Sequence, residues 1–142
     1  MTCLVCAEQT GGIDVPGGLI DDGLVVTFHL PPLDENPVYA GHLLVTPRRH
    51  APDFAALGSE EAAAVGIAIG RYSRALKSLG APHVYAATIG HRVEHLHVHL
   101  LPRWPETPEN LAWNQVDEWD DARRLGPKEI VQLMDELRGH LR

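Results

Sequence analysis

The stretch that most limits what this chain can become is Glu94-His95-Leu96-His97-Val98-His99-Leu100-Leu101-Pro102-Arg103. Three histidines alternate with apolar residues, the period-2 pattern of a strand with one face in a core and the other working. Leu96, Val98 and Leu100 are expected to point inward, so His95, His97 and His99 share the opposite face. At about 3.3 Å per residue, neighbours on that face sit roughly 6.6 Å apart and the outer pair roughly 13 Å apart. One metal ion can bridge two adjacent members but not all three, so the stretch needs at least two jobs to account for it. A solvent-facing strand can carry histidines at its polar positions by chance. Three in register, ended by Pro-Arg, argue instead for a chemical site, because neutral imidazole is a metal ligand, a nucleophile and an acid or base near neutral pH.

Composition enters where it removes function classes. A chain of 142 residues is expected to be one domain, residues 1–142, large enough for a proper core. Net charge is -7, which argues against nucleic acid as a partner, since affinity for a phosphate backbone comes from clustered Lys and Arg. A small phosphorylated ligand needs only a local positive patch. No apolar run approaches the roughly 18 residues of a membrane span, and no basic segment followed by an apolar one marks a signal peptide, so the expected location is cytoplasmic. The two cysteines, Cys3 and Cys6, form a Cys-x-x-Cys pair. In a cytosolic chain such a pair is a metal knuckle or a redox site more often than a disulfide, and no strand precedes it as the redox version requires.

Taken in order, Glu8 to Pro16 reads as a loop. Leu19-Ile20, the turn Asp21-Asp22-Gly23 and Leu24 to Phe28 read as a β-hairpin. His29 to Tyr39 carries three prolines and is expected to be irregular. Gly41 to Pro47 is a strand, followed by Arg48-Arg49-His50. Ser59, with Glu60 and Glu61 behind it, predicts an N-cap, and the stripe Val65, Ile69, Tyr72, Leu76 and Leu79 predicts an amphipathic helix to Leu79, ended by Gly80. Val84 to Thr88 is the next strand, and the triple-histidine strand is expected to close the sheet. Trp104 to Leu125 reads as an extended tail and Pro127 to Leu141 as a short helix. The class is therefore α+β, an antiparallel meander sheet covered by one long helix plus a C-terminal helix, with 1–103 as core and 104–142 as tail and helix.

Zinc needs four ligands in a closed tetrahedral site, and Cys3 and Cys6 supply two. His50 and one end of the histidine ladder are the economical choices for the others. Such a site has no open position, and two thiolates with two neutral imidazoles leave it formally uncharged. The expected cofactor is thus a structural Zn2+, with the chemistry left to the remaining histidines.

His95-Leu96-His97-Val98-His99-Leu100-Leu101 resembles the signature of the histidine triad (HIT) family, His-φ-His-φ-His-φ-φ. Pro102-Arg103 looks like its bacterial branch, as does Gly41-His42-Leu43-Leu44-Val45-Thr46-Pro47-Arg48-Arg49-His50, and the Cys pair matches zinc-bearing members. The resemblance implies a HIT-like nucleotide-binding fold, usually a homodimer. It also implies an enzyme that hydrolyses or transfers nucleoside monophosphates, as a phosphoramidase or dinucleoside polyphosphate hydrolase, through a covalent nucleotidyl-histidine. Its ligand would be a purine nucleotide or nucleotide conjugate. Carried over by position, His97 is the nucleophile, His99 contacts the phosphate and leaving group, and His42 orients from behind. Cys3, Cys6, His50 and His95 are the zinc ligands. Relatives carry an Asn-containing turn and Ala-Gly-Gln-Ser where this chain has the shorter Ala87-Thr88-Ile89-Gly90-His91-Arg92, which offers Arg92 as a phosphate contact. Asp34 is carried over as the ribose-binding acid. On charge alone, Arg103, Arg48 and Arg49 are either supplementary phosphate contacts or solvated surface charges. Two other readings compete. One is a metal-dependent hydrolase using triad histidines around a catalytic zinc. The other is a nucleotide-binding sensor or adaptor without turnover.

Overall fold

A computed structural model describes residues 3–141. The first element is the helix α1 (Leu4–Thr10), capped by Cys3, whose Sγ accepts the Cys6 N–H. The loop expected from Glu8 to Pro16 begins instead after Thr10, because a helix of seven residues with a glycine pair behind it carries too little periodicity to register in the sequence. A hairpin follows, β1 (Ile20–Asp21) and β2 (Val25–His29), with Ile20 opposite Thr27 and Gly23 at φ 87° in the turn. After β3 (Val38–Tyr39) come β4 (Leu43–Pro47), the long helix α2 (Ser59–Ser78), β5 (His83–Ala87) and β6 (Val98–Arg103). The N-cap of α2 is Gly58 rather than Ser59, and the Glu61 carboxylate accepts the Gly58 N–H. The chain ends in β7 (Arg124–Leu125) and α3 (Pro127–Gly139), with Pro127 in the first turn as its fixed φ favours.

The main sheet has strand order β1-β2-β4-β6-β5, and every pairing is antiparallel. The triad strand β6 therefore does not close the sheet but runs inside it, between β4 and β5. The intervening α2 carries the chain past the β6 position, so β5 lands on the edge and β6 returns to fill the gap.

Alternation sorts the two faces. Val25, Leu43, Val45, Val98 and Leu100 point to one side and pack with Val65, Tyr72 and Leu76 of α2 and Ile130, Met134 and Leu137 of α3. Val26, Phe28 and Leu44 point to the other. His99 lies opposite Leu44 in the β4–β6 register, which puts it on that second face, away from α2. Leu96, Val98 and Leu100 are all buried, as the alternation predicts, and His95 is fully buried as well.

The segment 104–125 is not an extended tail. Trp104, Val116 and Ala122 are buried in a second cluster with Tyr39, Ala40, Ala81 and Leu101, and β7 pairs with β3. Trp104 Nε1–H donates to Ala40 O and Ala40 N–H to Arg123 O, so the segment is tied down by bonds over long sequence separations that no local periodicity reveals. Gly41, at φ 81°, meets this cluster so closely that a Cβ there would lie 2.8 Å from Pro102 Cγ. That contact sets where the next residue, His42, enters the sheet.

Candidate active site and metal centre

Cys3, Cys6, His50 and His95 bring one ligand atom each to within 4.8 Å of one another. Cys3 Sγ lies 3.5 Å from His95 Nδ1, Cys6 Sγ 3.4 Å from the same nitrogen, and Cys6 Sγ 3.5 Å from His50 Nδ1. Zinc bonds of about 2.3 Å to sulfur and 2.1 Å to nitrogen, at a tetrahedral angle, place a sulfur and a nitrogen about 3.6 Å apart. The spacing thus fits a tetrahedral ion with all four positions taken. His95 Nε2 sits 2.8 Å from Pro47 O, and because a carbonyl only accepts, Nε2 carries the proton and Nδ1 presents its lone pair to the cluster. Burial holds the His95 imidazole below its ordinary pKa, which keeps it neutral. Burial, then the neighbouring Cys3, push the Cys6 thiol up, since two thiolates side by side need a cation between them. Gln9 Nε2 completes the support by donating to Thr46 Oγ1 and Pro47 O, which pins α1 to the end of β4.

The remaining histidines form a separate array. His97 Nδ1 lies 2.8 Å from the His95 carbonyl, so it is the protonated nitrogen, and Nε2 keeps its lone pair. Thr88 Oγ1–H donates to His97 O at 2.9 Å, holding the same residue from its other end. His99 Nδ1 and His42 Nε2 are 2.8 Å apart, and the His97 and His99 rings stand 5.0 Å apart between centroids, nearly edge to face. Burial first, then the neighbouring His99, pull His42 down to about 3, and burial likewise lowers His99. Behind them His29, fully buried and lowered by burial to about 4, takes the Gly41 N–H on Nε2 and reaches Leu30 O with Nδ1.

Next to His97 and His99 a cleft of about 140 Å³ opens between aliphatic walls of Leu4, Val5, Leu30, Leu33, Leu44 and Val93, with Glu8 also lining it. Asp34, carried over as the ribose-binding acid, is not on this cleft. It is exposed, and its carboxylate caps the Asn36 N–H in the loop after β2. Arg103 sits at the far end of β6, donating to Tyr85 OH, Leu111 O and Pro108 O, so its guanidinium anchors the 104–125 segment. Arg48 pairs with Asp21 and Arg49 with Glu61, both away from the cleft. Arg92 is exposed in the turn before His95. Sequence reasoning missed Glu8, His29, Thr88 and the cleft walls. The histidine that ends the apolar run of β2 is the one signal available for any of them.

The chain belongs to the histidine triad family: the HIT domain model matches residues 19–106. A HIT-like protein of Mycobacterium tuberculosis is 36% identical over 120 residues, covering 79% of this chain and 77% of that one. A HIT-like protein of Mycoplasma genitalium is 34% identical over 88 residues, and the match covers 58% of this chain and 62% of that protein's length. The AP-4-A phosphorylase of M. tuberculosis is 30% identical over 101 residues, which are 64% of this chain and 52% of the phosphorylase. Among solved structures, a Zn-bound histidine triad family protein from Mycobacterium smegmatis superposes with a TM-score of 0.72 at 23% identity, covering 98% of this chain and 95% of that one. A histidine triad nucleotide-binding protein from Sulfolobus tokodaii does so with a TM-score of 0.71 at 21% identity, over 98% and 91%. The last two establish likeness of fold. Among the described residues no helix is long and apolar enough to cross a membrane.

Two outcomes follow from the geometry. Replacing Cys6 with Ser removes one of four donors, so stoichiometric metal should be lost and the melting temperature should fall on the order of 10 °C. Elemental analysis and a thermal scan check this, and a metal-free variant with unchanged melting temperature would contradict a structural site. The second concerns pH. His29 and His42 are held at about 4 and about 3, below the 6.5 of an unfolded histidine, so the unfolded chain takes up protons first as pH falls. The stability they contribute is complete above pH 6.5 and is lost toward pH 4, roughly 3 kcal/mol for His29 alone. Glu8, pushed up to about 7 by burial, works in the opposite direction over about pH 7 to 4.5 and offsets part of that loss. Urea midpoints should therefore fall from pH 7 to pH 5, more steeply in Glu8→Gln. A flat profile in that variant would sink this account.

Proposed function

We propose that this chain is a nucleotide hydrolase or transferase that works through a covalent nucleotidyl-histidine on His97, with a structural zinc ion on Cys3, Cys6, His50 and His95. The observation that carries the reading is the 2.8 Å contact from His97 Nδ1 to the His95 carbonyl, which fixes the tautomer that leaves Nε2 free to attack. The Nε2 lone pair bonds to the α-phosphorus of a nucleoside phosphoramidate or a dinucleoside polyphosphate, and the bond from phosphorus to the leaving nitrogen or oxygen breaks. Nucleotidylation makes the His97 ring an imidazolium, whose positive charge lies on the hydrogen bond to His95 O. With His42 Nε2–H donating to His99 Nδ1, the neutral His99 turns its own Nε2–H toward the phosphoryl and leaving groups as a hydrogen-bond donor, and the leaving nitrogen or oxygen takes its proton from solvent. Water then attacks phosphorus and releases a proton to solvent, the bond from phosphorus to His97 breaks, and a nucleoside monophosphate departs.

The likeness to an AP-4-A phosphorylase supports a phosphoanhydride or phosphoramidate bond as the target. The four-donor cluster supports a zinc that is structural rather than catalytic, because no coordination position is left for water. The packing of 104–125 and α3 onto the sheet supports treating residues 1–142 as one HIT domain. Rapid quench of the protein with a nucleoside phosphoramidate, followed by intact mass under mildly alkaline conditions, should reveal a nucleotidyl adduct that is absent in His97→Ala. Turnover should drop by several orders of magnitude in that variant and by about 10²–10⁴ in His99→Ala. An adduct that persists in His97→Ala would move the nucleophile elsewhere.

We also propose a homodimer. Its support is β5, which pairs only with β6 and so offers a free strand edge among the described residues, together with Ile67 of α2, 70% exposed. Sedimentation at micromolar concentration should give twice the chain mass, and a monomer there would remove this assignment.

A further inference from the structure

The short helix α1 belongs to two sites at once. Cys3 caps it and Cys6 stands in its first turn, and both sulfurs lie within 3.5 Å of His95 Nδ1. Leu4 and Val5, the two residues between those cysteines, line the cleft beside His97 and His99. A helix of seven residues has little stability of its own, since helices shorter than about 12–15 residues are marginal in water. Its place is therefore set by what it touches. Gln9 holds the later turn to Thr46 and Pro47, whereas the first turn, with both cysteines and Leu4, is fixed by the four-donor cluster. Lone pairs brought to one point repel one another unless a cation or a proton lies between them, so the cluster closes tightly only around an ion.

We infer that metal occupancy of the knuckle and nucleotide occupancy of the cleft are coupled through α1, each raising the affinity for the other. The inference rests on the nucleotide reading and the zinc assignment above and adds regulation to that site. Two placements of the helix carry it. With the four donors gathered around an ion, Leu4 and Val5 stand against the cleft and a ligand meets a finished wall. With the knuckle open, that wall has to be ordered as the ligand binds, and the cost is taken from the affinity. By linkage, a ligand resting on Leu4 and Val5 disfavours the open knuckle and tightens the metal by the same factor. Leu33 lines the same cleft and is 62% exposed, yet it stands on the segment after β2, which carries none of the four donors. Contact with Leu33 alone therefore does nothing for the metal.

The test is equilibrium competition for zinc between the full chain and a coloured chelator, without ligand and with saturating AMP, GMP or ribose 5-phosphate. The last has the phosphate and sugar but no base to reach α1. Calorimetry on the zinc-loaded chain measures the binding of each compound, and circular dichroism checks that the variants Leu4→Ala and Leu33→Ala are folded. AMP or GMP should lower the zinc dissociation constant about 10-fold, and ribose 5-phosphate should leave it within about twofold. That comparison needs no variant. In Leu4→Ala the nucleotide effect should shrink to about twofold or less, whereas Leu33→Ala should bind nucleotide more weakly and keep the full effect once saturated. A zinc dissociation constant that bound AMP and GMP leave unchanged, or an effect equally large in both variants, overturns the inference while leaving the nucleotide reading intact. Failure of both nucleotides to bind the zinc-loaded chain overturns both. A chain that takes up no zinc overturns the metal assignment together with the inference.

Discussion

His95 is the residue on which the rest of the site depends, because its three polar contacts tie three parts of the chain together. The ring proton on Nε2 goes to Pro47 O at the end of β4, the Nδ1 lone pair faces Cys3 and Cys6 on α1, and the main-chain carbonyl takes the proton of His97. Each contact fixes the next. The carbonyl of Pro47 settles the His95 tautomer, that tautomer makes the ring a ligand, and the anchored backbone then settles the His97 tautomer. A metal at the knuckle would thereby hold His97, the proposed nucleophile, in place and keep the α1 wall of the cleft where it is.

The second array depends on exclusion of water. His29, His42 and His99 are all held below the ordinary histidine pKa chiefly by burial, so at neutral pH they are uncharged rings that relay hydrogen bonds rather than cations. In the proposed reaction, an uncharged His99 next to His97 would add no like charge when the His97 ring becomes an imidazolium. The order of the backbone follows from the same packing. Gly41 passes against Pro102 and Trp104 and gives its N–H to His29, which delivers His42 to the face where β4 lies opposite β6.

Much of this was legible in the sequence wherever periodicity and pairing rules apply. The period-2 run predicted buried Leu96, Val98 and Leu100, the apolar stripe predicted α2, and Asp21-Asp22-Gly23 predicted the hairpin turn. The count of thiolates and imidazoles brought Cys3, Cys6 and His50 together with the ladder before any coordinates, and those side chains do converge. What was not legible depends on contacts distant in the chain. The short α1 is stabilised by Gln9 reaching Thr46 and by the knuckle, not by its own propensity. The 104–125 segment lacks periodicity because irregular backbone is fixed there by single bonds from Trp104, Ala40 and Arg103. The acid on the cleft escaped notice for the same reason: Glu8 is polar in sequence and sits in a helix that the sequence did not announce, whereas Asp34, placed by distance along the chain, caps its own loop.

The arginines that flank both motifs bear on how phosphate charge is met. Arg48 and Arg49 are spent on Asp21 and Glu61, and Arg103 on two main-chain carbonyls and a tyrosine hydroxyl. A guanidinium held in this way is a strut, and moving it to a phosphate would break the bonds that order the turn or tail it supports. In the proposed reaction, charge on the phosphoryl oxygens would then fall to neutral N–H donors of the histidine array and to Arg92, exposed in the turn that leads into His95. Neutral donors in a site shielded from water act on a phosphoryl group at short range, and they do so without the long-range attraction that a cationic pocket would exert on any anion. In that reading, recognition of the rest of the ligand would fall to the cleft beside the triad, whose walls are mostly aliphatic.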